Sequence, residues 1–279
     1  MNLYVHDGVF HADDLLAAAL IGRFFPIDRV IRTRDLSSVK EGDWVADVGG
    51  GEFDHHSLPK EAYPNGVEYA ACGKVARYLQ QIGVLSASVL DELCRRLLWP
   101  VEASDNGQKA ADFGLGPNKM SWSHAFNGNW DETTGQDDRF QEALKITKAI
   151  LDRELAAIAA ITSAQGLLDS IADSDVVVLP QYVPWQEYAV ANWPKAKLVL
   201  YPAQGEWRAQ VVPCTAIPGD FSSRVQFPAA WAGLRNEKLS EVTGIAGARF
   251  CHAGRFLTAW ATREDALAGA ALALREGGV

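Results

Sequence analysis

Leu3-Tyr4-Val5-His6-Asp7-Gly8-Val9-Phe10-His11-Ala12-Asp13-Asp14-Leu15-Leu16-Ala17-Ala18-Ala19-Leu20 contains a short apolar run, a polar loop with two histidines, and an apolar run too long for a strand. That is strand, loop, helix. Arg29-Val30-Ile31 and Trp44-Val45-Ala46-Asp47-Val48 then read as further strands. Short apolar strands separated by a helix predict a parallel sheet of the α/β class. Asp13 and Asp14 stand just before the apolar run from Leu15 to Phe25. One of them is expected to cap that helix, and both lie near its positive end.

Further helices are expected at 71–82 and 88–98, followed by an irregular connection from Asn106 to Thr134, rich in Gly, Asn, Trp and Ser. Leu144, Leu151, Leu155 and Ile158 recur at helical spacing after Phe140, and predict a long amphipathic helix ending near Leu168. At 279 residues the chain is about twice the usual domain size, so two domains are expected, 1–168 and 169–279. The second reads as a smaller α+β domain. Strands are expected at 175–179, 197–201, 206–212, 248–252 and 255–261, with a final helix over 264–275. In the third of these strands the two-residue period puts Arg208 and Trp207 on opposite faces.

Hydrophobic residues make up 48% and charged residues 22%, which argues against a disordered or fibrous chain. No apolar run approaches the about 20 residues that span a bilayer, and no basic region followed by an apolar one opens the chain. No membrane partner and a cytoplasmic location are therefore expected. Cys72, Cys94, Cys214 and Cys251 lie far apart, which fits a reducing compartment better than a disulfide framework. The net charge of −9 speaks against binding through a large basic surface. From Lys195 to Arg263, however, nine Lys or Arg face four Asp or Glu. That excess reads either as surface scatter or as a modest anion-facing region. Trp44, Trp99, Trp185, Trp193 and Trp260 lie in or beside apolar segments and read as packing residues rather than platforms for bases.

Four of the six histidines, His6, His11, His55 and His56, fall in the first 56 residues beside acidic groups. Each group follows an expected strand end, where the loops of an open α/β sheet meet and ligands bind. Imidazoles with several carboxylates and no thiolate suit a divalent cation of the manganese, magnesium or iron type. Two such ions about 3.5–4 Å apart need a bridging carboxylate and favour phosphoester hydrolysis. Asp105, at an apparent loop start, is a further carboxylate candidate. By itself it reads as a turn residue, and His124 as a satisfied polar residue. Gly49-Gly50-Gly51 permit either a tight turn or close approach of a phosphate, the turn being the simpler reading.

The series His6-x-Gly8-x-Phe10-His11-x-Asp13, Arg32-Thr33-Arg34-Asp35, Asp47-Val48-Gly49-Gly50, Asp54-His55-His56 and Asp105-Asn106-Gly107 resembles the MYG family of DHH-superfamily metal-dependent phosphoesterases and 3′-to-5′ exonucleases. The likeness continues through Gly205-Glu206-Trp207-Arg208, Phe221-Ser222-Ser223-Arg224, Trp231-Ala232-Gly233-Leu234-Arg235, Gly244-Ile245 and Phe250-Cys251-His252-Ala253-Gly254-Arg255-Phe256. It implies a DHH-type N-terminal domain and a C-terminal substrate-binding domain. It further implies that His6 and His11 hold one ion, Asp13, His55 and Asp105 the other, and that Asp47 bridges them. His56 would contact the phosphate or protonate the leaving oxygen, while Asp54 orients it. Arg224, His252 and Arg255, with Arg208, would meet phosphate oxygens. Two departures stand out: Leu257-Thr258-Ala259 replaces a Gly-Gly pair, and Asp7 replaces an Asn.

The expectation is a two-metal hydrolase of single-stranded RNA or short oligonucleotides, acting in RNA processing with manganese, or else magnesium. A hydrolase of pyrophosphate or a cyclic dinucleotide, and a non-catalytic metal- or RNA-binding protein, stay open as alternatives. The oligomeric state is open too, a dimer included.

Overall fold

The computed structural model describes residues 1–127, 135–217 and 219–276. The stretch 128–134 of the expected irregular connection lies outside the described residues. The chain divides into two compact units, Met1–Ala159 and Ala160–Val279. The division falls within the long helix Gln136–Asp169, which also contains Leu168, where the sequence reading ended its first domain.

In the first unit, β1 (Asn2–Val5) lies between β2 (Arg29–Arg32) and β3 (Trp44–Val45), parallel to both. The carboxyl ends of all three strands therefore open at one edge, and the chain leaves β1 and β3 there through His6 and Asp47. α1 (Ala12–Phe24) connects β1 to β2 and is buried on every side from Ala12 to Ile21. A helix apolar all round belongs in the middle of a fold. Its neighbour α2 (Ala71–Gln81) packs on it through a buried face that includes Cys72, Val75, Ala76 and Leu79. α3 (Ala87–Leu93) runs through a single wide π turn, Cys94–Leu98, into α4 (Trp99–Asp105). The extra residue of such a turn rotates the face presented by everything after it. Asp105 is consequently the last residue of a helix rather than the start of a loop. The helix Gln136–Asp169, α5, follows.

The second unit is a five-stranded mixed sheet in the order β4-β5-β6-β8-β7. β4 (Val176–Val178) runs parallel to β5 (Leu198–Ala203), and the other pairings, through β6 (Glu206–Val211), β7 (Ala248–Cys251) and β8 (Leu257–Trp260), are antiparallel. Gln204 and Gly205 both have positive φ, 55° and 79°, the backbone of a two-residue hairpin whose twist matches its strands. α8 (Arg263–Glu276) covers the sheet. Two short helices not foreseen, α6 (Gln186–Asn192) and α7 (Asn236–Thr243), bury one and two residues. So little apolar surface leaves no period to read. Trp185, Trp193 and Trp260 are core residues, as expected of them. Leu257-Thr258-Ala259 forms part of β8: Thr258 is fully buried, and its Oγ accepts the Trp260 indole N–H at 2.8 Å. Side-chain packing, not an exposed backbone, occupies that stretch.

Candidate metal centre

Four separate segments of the first unit bring their polar groups together at the carboxyl edge of the parallel sheet. From the end of β1, His6 sets Nδ1 2.8 Å from the Asp7 carbonyl. A donor bond there fixes the ring's orientation and aims Nε2 at the position of a cation, which would displace the Nε2 proton. That Nε2 lies 3.1 Å from Asp14 Oδ2 and 3.3 Å from Asp47 Oδ2.

From the first turn of α1 come Asp13 and Asp14, both fully buried. The residue at the start of that helix is His11, whose backbone N–H donates to Asp14 Oδ1 at 3.2 Å. Asp14 thus supports the helix end, while Asp13 does not. Both oxygens of Asp13 and Oδ2 of Asp14 lack a hydrogen bond. The positive end of α1 offsets part of the cost of keeping two carboxylates out of water.

At the end of β3, Asp47 adopts φ 59°, a left-handed backbone that costs a non-glycine residue about 1–3 kcal/mol. The conformation places its two oxygens on different imidazoles: Oδ2 faces His6, and Oδ1 lies 3.2 Å from His55 Nε2. The following glycines make a turn, with φ of 81° at Gly49 and 69° at Gly50, and the Gly50 N–H donates to Asp54 Oδ2 at 2.6 Å. The turn reading of this segment holds. Asp54 Oδ1 accepts from the backbone N–H of His56 at 3.0 Å and lies 2.7 Å from its Nδ1. These contacts leave His56 Nε2 facing outward, its side chain 64% exposed. Asp105, from the end of α4, approaches His55 Nε2 at 3.3 Å, and Asp13 approaches it at 3.5 Å.

Three sets of potential ligand atoms result, each lying within 4.8 Å of one another: His6, Asp14 and Asp47; His11, Asp13 and Asp105; and Asp47, His55 and His56. All six residues expected as metal ligands, with Asp54 and His56, therefore gather here. Asp13 and Asp105 lie beside His55, the set the resemblance implies, while His11, its ring 5.8 Å from that of His6, also offers an atom to Asp13 and Asp105. Asp14 takes the place beside His6. The sequence reading left Asp14 out of the candidate ligands by treating it as a cap. Its signal was the second acid in His11-Ala12-Asp13-Asp14, one helical residue on from the expected ligand Asp13.

The electrostatics fit a cation. Burial opposes charge on His6, but Asp14 and Asp47 outweigh it and push the imidazole up to about 10. Burial likewise opposes ionisation of Asp47, yet His55 and His6 bring it down to about 2. Asp13 is held well above the carboxylate range by burial and by Asp47 and Asp105. Burial also raises Asp14, against the pull of His6. With Asp47 Oδ1 and His55 Nδ1 also lacking hydrogen bonds, the centre holds more buried lone pairs than its own protons satisfy.

The expected substrate residues lie in the second unit. Arg224 directs its guanidinium onto backbone carbonyls: Ala196 at 2.7 Å, Ala189 at 3.3 Å, and Trp193. It holds the end of α6. Arg255 donates to the Gln226 side chain and to the Phe227 carbonyl. Arg208 pairs with Glu206 at 3.5 Å, and His252 Nδ1 accepts from the Gly254 N–H at 2.9 Å.

A parallel α/β unit with imidazoles and carboxylates massed at its carboxyl edge defines the class: a protein whose His and Asp clusters could hold metal ions. The chain belongs to the family described as "Uncharacterised protein family (UPF0160)", MYG1_exonuc, whose model matches residues 2–274. It is 29% identical to the MYG1 protein of Chlamydia pneumoniae, over 100% of this chain and 98% of the relative. Identity is 30% to the MYG1 protein of Chlamydia muridarum, covering 98% and 96%. With the human MYG1 exonuclease it is 28%, covering 94% of this chain and 82% of that protein.

Proposed function

We propose that the protein is a DHH-type phosphodiester hydrolase, removing nucleotides from the 3′ end of single-stranded RNA or short oligonucleotides with two divalent cations, manganese or else magnesium. The observation that carries this reading is Asp47, whose two oxygens face two different imidazoles, the arrangement of a carboxylate shared by two ions. The name of the human relative, MYG1 exonuclease, supports it. Bound cations supply Lewis acidity, activating water and neutralising charge on the phosphate.

The chain's own residues do the rest. His6 and Asp14 would hold one ion, Asp13, Asp105, His11 and His55 the other, and Asp47 would be shared between them. Asp54, kept below the usual carboxylate range despite burial by the Gly50 N–H and by His56, holds His56 in one orientation. His56 Nε2 then donates a proton to the leaving oxygen. Arg208, Arg255 and His252 serve the substrate. Four free cysteines fit action in the cytoplasm.

The test is release of mononucleotides from 3′-labelled and 5′-labelled oligonucleotides in the presence of manganese. Asp47→Ala combined with His55→Ala is expected to abolish it, and an unchanged rate in that variant removes the basis of the reading. The net charge of −9 favours a second reading, a small phosphate substrate. Under that reading pyrophosphate or a cyclic dinucleotide is hydrolysed faster than any oligonucleotide, and the rate does not depend on oligonucleotide length.

A further inference from the structure

Beside the centre lies a cavity of about 470 Å³, within the range of a site for one small ligand. His11, His55 and Asp105 form its inner wall, and Val101 and Ala12 add an apolar surface. His56 and Asn106 also line it, and Lys60, Ser104, Asn118 and His124 bring groups able to donate. Lys60 Nζ has three protons and gives two of them, to the His55 carbonyl and to Asn106 Oδ1, each at 3.0 Å. The third remains for a ligand. Asn118 Oδ1 accepts the Met120 N–H at 2.8 Å, so its Nδ2 donors are left over. The hydroxyl of Ser104 and the ring of His124 have no hydrogen-bond partner among the described residues.

We propose that this cavity binds the terminal nucleotide of the substrate, and the nucleoside monophosphate it becomes, with Lys60 on a phosphate oxygen and Ser104, Asn118 and His124 on sugar or base. The identity of the ligand rests on the hydrolase reading, whereas the location rests on the cavity and its unused donors. Lys60 reaches the phosphate because its ammonium is anchored on the carbonyl of His55, a residue of the centre. A cation on that anchor adds a charge-assisted bond to the one ligand group that is always anionic. The apolar wall suits a sugar or base face and would do nothing for inorganic phosphate alone.

The experiment measures equilibrium binding of adenosine 5′-monophosphate, adenosine and inorganic phosphate to the cation-loaded protein by calorimetry, alongside its metal content. Lys60→Met is expected to weaken adenosine 5′-monophosphate at least tenfold and to leave adenosine within about twofold. Asn118→Asp keeps the acceptor for the Met120 N–H but removes the amide donors. It is expected to weaken both nucleoside ligands, and inorganic phosphate less. If Lys60→Met does not fold, Ser104→Ala keeps the inference falsifiable: it is expected to weaken adenosine and adenosine 5′-monophosphate alike and to leave inorganic phosphate unchanged. Wild-type binding of adenosine 5′-monophosphate that survives Lys60→Met and Asn118→Asp unchanged overturns the inference, even if hydrolysis is robust. Lys60-dependent binding in a protein that cleaves no phosphodiester upholds the pocket and sinks the hydrolase reading instead.

Discussion

Raising the pH should tighten cation binding steeply, because the centre must give up protons to receive an ion. His6 is pushed up to about 10 by Asp14 and Asp47 against the effect of burial, so at pH 7 its Nε2 is protonated until a cation displaces that proton. Each displaced proton makes apparent affinity rise about tenfold per pH unit, or about 1.4 kcal/mol. The sign is fixed: the rise continues until pH reaches the raised value and then levels off. Asp13 is shifted in the same direction, held well above its ordinary range by burial and by Asp47 and Asp105. Asp47, at about 2, adds none. The expected slope between pH 6 and 9 is therefore about one decade per unit from His6. Competition against a chelating indicator gives the slope, and calorimetry in two buffers of different ionisation enthalpy counts the protons released. His6→Gln should lower that count by about one. A flat affinity with no proton release refutes the claim that these residues ligate the ion.

Asp14→Asn keeps an oxygen for the His11 N–H but removes the charge beside His6. Bound metal, measured by atomic absorption, is expected to fall by about one ion per chain, whereas full occupancy would exclude Asp14 as a ligand. Glu102 is pushed up to about 8 by burial, helped by Asp105 and opposed by the Ala70 N–H and the Tyr63 hydroxyl. The native state keeps its proton while the unfolded chain loses it, so its contribution to stability is complete below pH 4.5 and lost as pH rises toward 8. Urea denaturation should show wild type losing on the order of 4 kcal/mol relative to Glu102→Gln across that window, and parallel curves would contradict it. Arg224→Met leaves the carbonyls of Ala189, Trp193 and Ala196 without their donor. A loss of about 2–4 kcal/mol in the second unit is expected from denaturation, with metal content unchanged. A stable variant with weakened substrate binding would point instead to a role on phosphate.

The parallel sheet and α1 were legible because their signals are local: a four-residue strand, then an apolar run from Leu15 with acids at its start. The clustering of His6, His11, His55 and His56 with Asp13 and Asp47 was legible because topology alone sends strand ends to one edge. The partition of ligands was not. Whether His11 turns toward His6 or toward Asp105 depends on side-chain rotamers and on where α4 ends, and the π turn at Cys94–Leu98 sets that end. Asp14 escaped because capping and ligation use the same residue type at the same position. Lys60 escaped because an isolated lysine in Leu58-Pro59-Lys60-Glu61 looks like a solvated surface charge. Its anchors, the His55 carbonyl and Asn106, come from positions only the fold brings together.

The burial pattern and the hydrogen-bond pattern of the centre reach one conclusion from different physics. Asp13, Asp14 and Asp47 are almost wholly removed from water, an arrangement that destabilises a fold unless protons or cations neutralise it. Protons alone would be satisfied by hydrogen bonds, as they are at Asp54, whose oxygens accept three. At Asp13 neither oxygen has a hydrogen bond, and at Asp47 Oδ1 has none. A carboxylate that is buried, strained in its backbone and short of donors is held for an acceptor of lone pairs other than hydrogen. Asp54 and Asp47, seven residues apart, thus separate the two roles within one loop: the first keeps an imidazole in place, and the second stands open between two of them.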